Sequence, residues 1–266
     1  MIAIIDGDIP IFTECAVAAG RGNVFGSYFP DIDALADSAS KTIEYWAKQA
    51  QADDIILVHS HESRRNFRKH LLPAQYKAQR AVAKPLGYYE VLAKVLERFH
   101  CEAIDGIEGD DTCGILHTSP LLNGDTVTVS TDKDFKTIPG LIFNPNKQVE
   151  PEMVTANEAT HFWMQQVLEG DSADGYKGAK GIGKVKALKA IGDVDNTIGV
   201  DEYIDHLWEK VIEVYAQVYS DYEAEPLAVM QARMARILHR DDYLKESNEI
   251  KLWHPKGATL LALDSF

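Results

Sequence analysis

A chain of 266 residues, 45% of them hydrophobic, is long enough to bury one large core or one core with a smaller companion, and it carries no low-complexity tract or internal repeat. Its formal net charge of -14 argues against a polyanion binder that uses its whole surface. Three cysteines without C-x-x-C spacing (Cys15, Cys101, Cys113) suggest neither a disulfide framework nor a thiolate zinc site and fit a reducing cytosol; no apolar run reaches membrane-spanning length.

The chain opens on Ile2-Ala3-Ile4-Ile5, a strand-like run that meets an acid at Asp6 and is too short and wrongly charged for a signal peptide. Residues 32–50 follow with helical periodicity, and residues 55–58 form a second apolar run. From Arg64 to Lys84 there are seven Lys or Arg and no acid. Residues 88–99 read as a helix, and the segment Glu108-Gly109-Asp110-Asp111 begins another that continues through Ile115 and Leu116. One acid there would be an ordinary helix-start residue favoured by the dipole, but three together repel. The strand-like run at 126–130 leads to Asp132 and Asp134, whose spacing of two puts both carboxylates on one side if strand geometry continues. Residues 141–143 read as a strand and 157–168 as a helix. This alternation predicts an α/β domain on a parallel sheet, in which ligands bind beyond the carboxyl ends of the strands, where Asp6, Asp132 and Asp134 fall.

The segment from Gly170 to Lys189 combines three features. Asp171 and Asp174 are expected one helical turn apart, aiming two carboxylates at one point. Gly178, Gly181 and Gly183 permit close backbone approach, and Lys177, Lys180, Lys184, Lys186 and Lys189 add positive charge with no acid among them. A glycine-containing turn between helices, with outward N–H groups, is an anion site. Twelve of the 27 basic residues thus sit in two acid-free runs, local basic faces on an acidic protein. The set Asp6, Glu108, Asp110, Asp111, Asp132, Asp134, Asp171 and Asp174 needs cations if it converges, and all-oxygen donors select Mg²⁺ or Mn²⁺ over zinc. Beyond Asp201, Tyr203, Leu207, Val211, Val214 and Val218 form one apolar stripe, and Met230, Met234, Ile237 and Leu238 another; these read as core, with Trp253 anchoring the C-terminal part. His206, His239 and His254 lack paired metal-ligand spacing.

The motifs IIDGD around Asp6, RKHLLPAQYKAQR from Arg68 to Arg80, EGDD from Glu108, STDKDF from Ser130 and the GDSAD…GIGK segment occur in the order and approximate spacing of the 5′-nuclease family, and roughly the first 190 residues resemble it. Within that family of flap endonucleases and 5′-to-3′ exonucleases, the compact size, the ARMARILHRDDY segment and the EIKLWHP ending look most like the exonucleases of short-tailed DNA phages. The resemblance implies a PIN-like parallel sheet flanked by helices, a helical arch at 62–84 and a helix-three-turn-helix element at 170–192. It implies a catalytic domain over 1–150 and a helical DNA-binding region over 151–266. By the same resemblance Asp6, Glu108, Asp110 and Asp111 surround one metal position, while Asp132, Asp134, Asp171 and Asp174 contribute to a second. Two Mg²⁺ or Mn²⁺ ions are implied, and Asp8 has no role by this match. Lys77 and Arg80 resemble the residues that act on the scissile phosphate, and Tyr76 reads either as a stacking surface for a terminal base or as packing within the arch. Arg68, Lys69, Lys177, Lys180, Gly181, Gly183, Lys184 and Lys186 complete the implied DNA-binding set.

The implied activity is 5′-to-3′ hydrolysis near the 5′ end of duplex or flapped DNA, extending to RNA in RNA–DNA hybrids, in the host cytosol during phage DNA replication or primer removal. A structure-specific flap endonuclease and a non-catalytic DNA-binding member of the fold are the alternatives; retention of both acidic clusters argues against the latter. The chain also departs from the family. Many relatives carry an Asp after the second strand where this chain offers His59, His61 and Glu62; Val185 stands between Lys184 and Lys186 where a lysine is common; and Phe12, Thr13 and Glu14 occupy the region of an Arg in some relatives.

Overall fold

The computed structural model describes residues 1–23, 30–63, 65–78, 83–122 and 124–256. It divides into two compact units: Met1–Arg65, Val82–Phe135 and Gly140–Met153 form the first, and Asn66–Ala81, Lys136–Pro139 and Val154–Phe266 the second. The arch segment was expected with the catalytic part; residues 66–78 instead group with the second unit.

The first unit is built on β1 (Ile2–Asp6), α1 (Asp8–Asn23), α2 (Ile32–Gln49) and β2 (Asp54–Val58). One short helix of the second unit, α3 (Phe67–Leu71), intervenes before α4 (Tyr88–Leu96), β3 (His100–Glu102), α5 (Gly109–His117), β4 (Thr126–Val129), β5 (Gly140–Phe143) and β6 (Glu152–Val154). The six strands lie in the order β3-β2-β1-β4-β5-β6, and β1 pairs in parallel with both β2 and β4. Ala3, Ile4, Ile5, Leu57, Val58, Val127 and Val129 are fully buried, the uninterrupted apolar pattern of a parallel sheet covered on both faces. Helix α2 starts where the Asp31 carboxylate accepts the Ala34 N–H at 3.1 Å, and it buries Ala36, Ala39, Ile43, Trp46 and Ala47 at three- and four-residue spacings. The chain reverses direction across the sheet between β1 and β4, so the crevice at their carboxyl ends is the topological switch point.

The second unit is helical. α6 (Ala156–Glu169) opens with a reciprocal capping box between Thr155 and Glu158, followed by α7 (Lys184–Ile191), α8 (Val200–Ala216), α9 (Asp221–Ala235) and a hairpin of β7 (Tyr243–Leu244) and β8 (Glu249–Ile250). Trp163 is the centre of its core: it is buried, donates its indole N–H to the Ala232 carbonyl at 2.9 Å, and meets Trp253 edge-on at 5.0 Å. Truncating such a residue to alanine costs roughly 3–5 kcal/mol.

Three expectations are corrected. Residues 172–175 form a turn closed by a bridge between Asp171 and Tyr176, so Asp171 and Asp174 belong to an isolated turn and not to a helix. Strand β4 ends at Val129 and Asp134 lies in a short 3₁₀ helix, Lys133–Thr137, so Asp132 and Asp134 do not share a strand face. Val218, read as core, falls beyond α8 and is 39% exposed.

Candidate functional site

The carboxyl end of β1 carries Asp6-Gly7-Asp8, and the glycine is required there. A Cβ at Gly7 would stand 2.9 Å from the Val58 carbonyl oxygen and 2.7 Å from Leu57, because the Gly7 N–H donates to that carbonyl at 2.8 Å. Close approach therefore holds Asp6 and Asp8 at the edge between β1 and β2. Asp6 is buried and accepts from the Ser130 hydroxyl at 3.1 Å, just beyond β4. Burial, then the like charges of Asp8 and Asp132, push its carboxyl up to about 7 against the opposing pull of the Ser130 hydrogen bond and the Asp8 N–H. Asp8 accepts from the Tyr88 hydroxyl at 2.8 Å and from the Ser60 N–H at 3.1 Å, and also from the Ser60 hydroxyl.

The acids of α5 face the same place. Cys113, wholly buried one turn into α5, has its thiol pushed well up by burial and then by Asp6, Asp110, Asp8 and Asp111 together. Glu108 and Asp111 form the capping box of α5, with the Glu108 N–H donating to Asp111 at 3.3 Å, so the helix-start role of these acids is present alongside their shared charge. Asp132 carries Asp134 on its carboxylate through the Asp134 N–H at 3.0 Å, and Asp134 pairs with Lys133 at 3.6 Å. Asp6 thus feels the like charges of Asp8 and Asp132, and the Cys113 thiol those of Asp6, Asp8, Asp110 and Asp111, so these carboxylates lie in one acidic region near the switch point. An all-oxygen set of this charge fits a hard divalent cation. Among the described residues no three carboxylate, imidazole or thiolate groups are already gathered as a coordination sphere, so seating an ion requires side-chain adjustment.

Asp8 was not expected here. The family match gives it no role, and only the register of β1 against β2 brings Ser60 to it. Beyond β2 the chain is tied down by Asp105, which accepts from Arg65 Nε at 3.1 Å, from the Ser63 hydroxyl and from Arg65 Nη2, and lies 3.5 Å from His61. His59 turns its Nδ1 to the Ser60 carbonyl at 3.1 Å. Neither histidine joins the carboxylate group.

In the second unit, Asp171 organises its own turn, its carboxylate accepting the Ala173 N–H at 2.7 Å and the Asp174 N–H at 3.3 Å. Asp174 sits with Lys77, whose ammonium is 3.8 Å from its carboxylate. The turn needs Gly175: its φ is +83°, and a Cβ there would stand 2.1 Å from the Gln75 carbonyl oxygen. Arg68, expected to touch DNA, is instead interior, and Tyr76 takes the packing alternative. Arg68 is 4% exposed and donates to the carbonyls of Met234 and Arg236, and Tyr76 is 5% exposed within the helical core. A basic run does not show which of its members tertiary packing will bury. Lys69 is exposed, and Arg80 lies outside the described residues. Lys177, Lys180, Gly181, Gly183, Lys184 and Lys186 are all exposed. Residues 177–183 and Tyr219 line a cleft of about 590 Å³, the Tyr219 hydroxyl accepting the Lys180 N–H at 3.2 Å and Lys186 donating to the Gly181 carbonyl at 2.9 Å. Tyr219 carried no signal in the sequence beyond its place at the end of an apolar stripe.

No family model matches the chain. It is 31% identical over 219 residues to the exodeoxyribonuclease of Enterobacteria phage T3, covering 72% of this chain and 71% of that protein. It is 33% identical over 215 residues to the exonuclease of Escherichia phage T7, covering 71% of each. Its fold is that of the bacteriophage T5 flap endonuclease solved with DNA and metal ions, with a TM-score of 0.51 and 20% identity over 88% of this chain and 98% of the other. The T5 5′-exonuclease with bound zinc superposes with a TM-score of 0.51 at 19% identity, over 88% and 96%. Sheet, carboxylate group and relatives together define a nuclease. Its sequence relatives narrow this: the chain belongs to the 5′-nuclease family, with the exonucleases of the short-tailed phages. Among the described residues no helix is long and apolar enough to cross a membrane.

Proposed function

We propose that this chain is a divalent-cation-dependent 5′-to-3′ exodeoxyribonuclease that hydrolyses phosphodiesters near the 5′ end of duplex DNA, accepting RNA in RNA–DNA hybrids as well. The observation that carries the reading is the buried Asp6 carboxylate at the sheet's switch point, hydrogen-bonded to Ser130 and facing the like charges of Asp8 and Asp132, a surplus of negative charge suited to cations. Asp6, Glu108, Asp110, Asp111, Asp132 and Asp134 are the side chains assigned to hold Mg²⁺ or Mn²⁺; for Asp171 and Asp174 the same assignment rests on sequence resemblance. Bound cations would activate water and neutralise the leaving oxygen.

The chain's own groups do the rest. Ser130 and the Asp8 N–H orient the Asp6 carboxylate. Lys77 and Arg80 are assigned to the charge that builds on the phosphoryl oxygens. Lys69, Lys177, Lys180, Lys184 and Lys186, with the backbone N–H groups at Gly181 and Gly183, hold the duplex by its phosphates, as a helix-three-turn-helix element would. A second reading, cleavage at a 5′ flap, is favoured by the fold shared with the T5 flap endonuclease.

Duplex, nicked, flapped and hybrid substrates labelled at either end decide between the two. Short 5′-phosphorylated products from plain duplex in Mg²⁺, and none in EDTA, are expected. Cleavage confined to the flap junction would replace the first reading with the second, and cation-independent cleavage would overturn both.

A further inference from the structure

Lys84 precedes α4 by four residues and lies over two aromatic rings of the first unit, its ammonium 4.1 Å from the ring centroid of Tyr88 and 5.6 Å from that of Phe12. Tyr88 is buried, and its hydroxyl donates to Asp8 at 2.8 Å. One tyrosine therefore carries a cation on its face and a carboxylate of the acidic group at its tip. The neighbouring cations of the same unit are engaged otherwise: Arg98 pairs with Asp37 at 2.8 Å, Lys94 with Asp33, and Arg65 with Asp105. Lys84 makes no ion pair among the described residues, although the chain has 41 acids.

Ring faces attract an ammonium without accepting its N–H groups as a carboxylate would. Lys84 thus keeps donors for a further acceptor while its otherwise flexible stem is restrained. A pocket of repelling carboxylates is a poor place for a phosphodiester to approach unless a cation stands at its rim, and a lysine restrained one ring away from Asp8 supplies one.

We propose that Lys84 is a substrate-binding residue whose ammonium contacts a DNA phosphate beside the carboxylate group, offsetting the repulsion that phosphate meets there. The proposal rests on the reading of that group as the nuclease site, and it adds a cation distinct from Lys77 and Arg80.

The test compares parental protein, Lys84→Ala and Lys84→Arg on end-labelled duplex DNA, by Kd over a salt series in EDTA and by single-turnover cleavage in Mg²⁺. Lys84→Ala is expected to weaken binding about tenfold, as for one charge-assisted contact, and to reduce the salt slope by about one; Lys84→Arg is expected to restore both. A set of duplexes with a single neutral methylphosphonate then locates the contact. At one position neutralisation weakens the parental protein but leaves Lys84→Ala unaffected, a signature that partial unfolding does not produce. Asp110→Asn serves as the control on the underlying reading. If it cleaves at the parental rate, the nuclease site is misassigned and the Lys84 contact falls with it. If Asp110→Asn is inert while Lys84→Ala keeps the parental Kd, salt slope and methylphosphonate pattern, the Lys84 contact alone is overturned.

Discussion

Lys77 donates its backbone N–H to the Asp174 carbonyl at 2.9 Å and holds its ammonium 3.8 Å from the same residue's carboxylate. The lysine has a left-handed backbone, φ +51°, and its side chain is only 15% exposed. It is thereby fixed at main chain and side chain to one of the residues assigned to ion holding. If its ammonium acts on the reacting phosphate, rate suffers more than affinity, because transition-state charge exceeds that of the bound substrate. Lys77→Ala is expected to lower single-turnover cleavage by about two orders of magnitude while Kd changes severalfold at most. Cleavage at the parental rate under saturating DNA and Mg²⁺ would remove Lys77 from the mechanism.

Asp110→Asn and Asp132→Asn each delete one charge from the group at the switch point while preserving shape. Both are expected to lose cleavage by more than about a hundredfold with unchanged circular dichroism and little change in DNA binding. Near-normal Mg²⁺-dependent cleavage by either would sink the assignment.

The Asp6 carboxyl titrates at about 7 when folded, above the ordinary aspartate range near 4. The folded state therefore holds a proton that the unfolded state has released, and Asp6 makes stability fall as pH rises from about 4 to about 7. Thermal melts in EDTA should show Asp6→Asn losing less stability than the parent across that window and melting higher at pH 8, by an amount on the order of a few kcal/mol. Parallel pH profiles for the two proteins would contradict the raised value.

Duplex binding should weaken steeply with salt despite the net charge of -14, since the contacts come from local basic segments. Lys184→Ala combined with Lys186→Ala is expected to weaken binding and flatten the slope. Because Lys186 also donates to the Gly181 carbonyl, its loss relaxes the glycine turn as well as removing a charge. An unchanged slope would place the duplex grip elsewhere.

Strands β1, β2 and β5 were legible because a two-sided buried strand needs an unbroken apolar run, and Ile2-Ala3-Ile4-Ile5 is one; β4 was legible because its Thr-Val-Thr-Val is wholly β-branched. Strand β3 was not, since three residues are too few to show a period. Helix α1 was missed because Ile9, Ile11, Phe12, Ala16 and Val17 scatter apolar residues around it, with Pro10 in its first turn. Asp6, Asp110, Asp111 and Asp132 were named from motifs, whereas Asp8 is drawn to the same acidic region through Ser60 and Tyr88, 52 and 80 residues away. Arg68 and Tyr76 show the converse: their chemistry was visible but their burial was not, because partners such as Met234 lie 166 residues distant from Arg68.

The hydrogen bond from Ser130 to Asp6 joins residues 124 positions apart, with β1 seated between β2 and β4. A growing polypeptide can pair β1 with β2 early, but one flank of β1 stays open until β4 has been synthesised. Asp6 then lacks its hydroxyl donor, and Asp132 has not yet been made. The carboxylate group therefore cannot assemble on an incomplete first unit. On the proposed assignment of Asp132 to the cation site, a nascent or prematurely terminated product ending before residue 132 would be inert rather than an unregulated cutter of nucleic acid, and the order of strands in the sheet would delay catalytic competence until translation has passed that point.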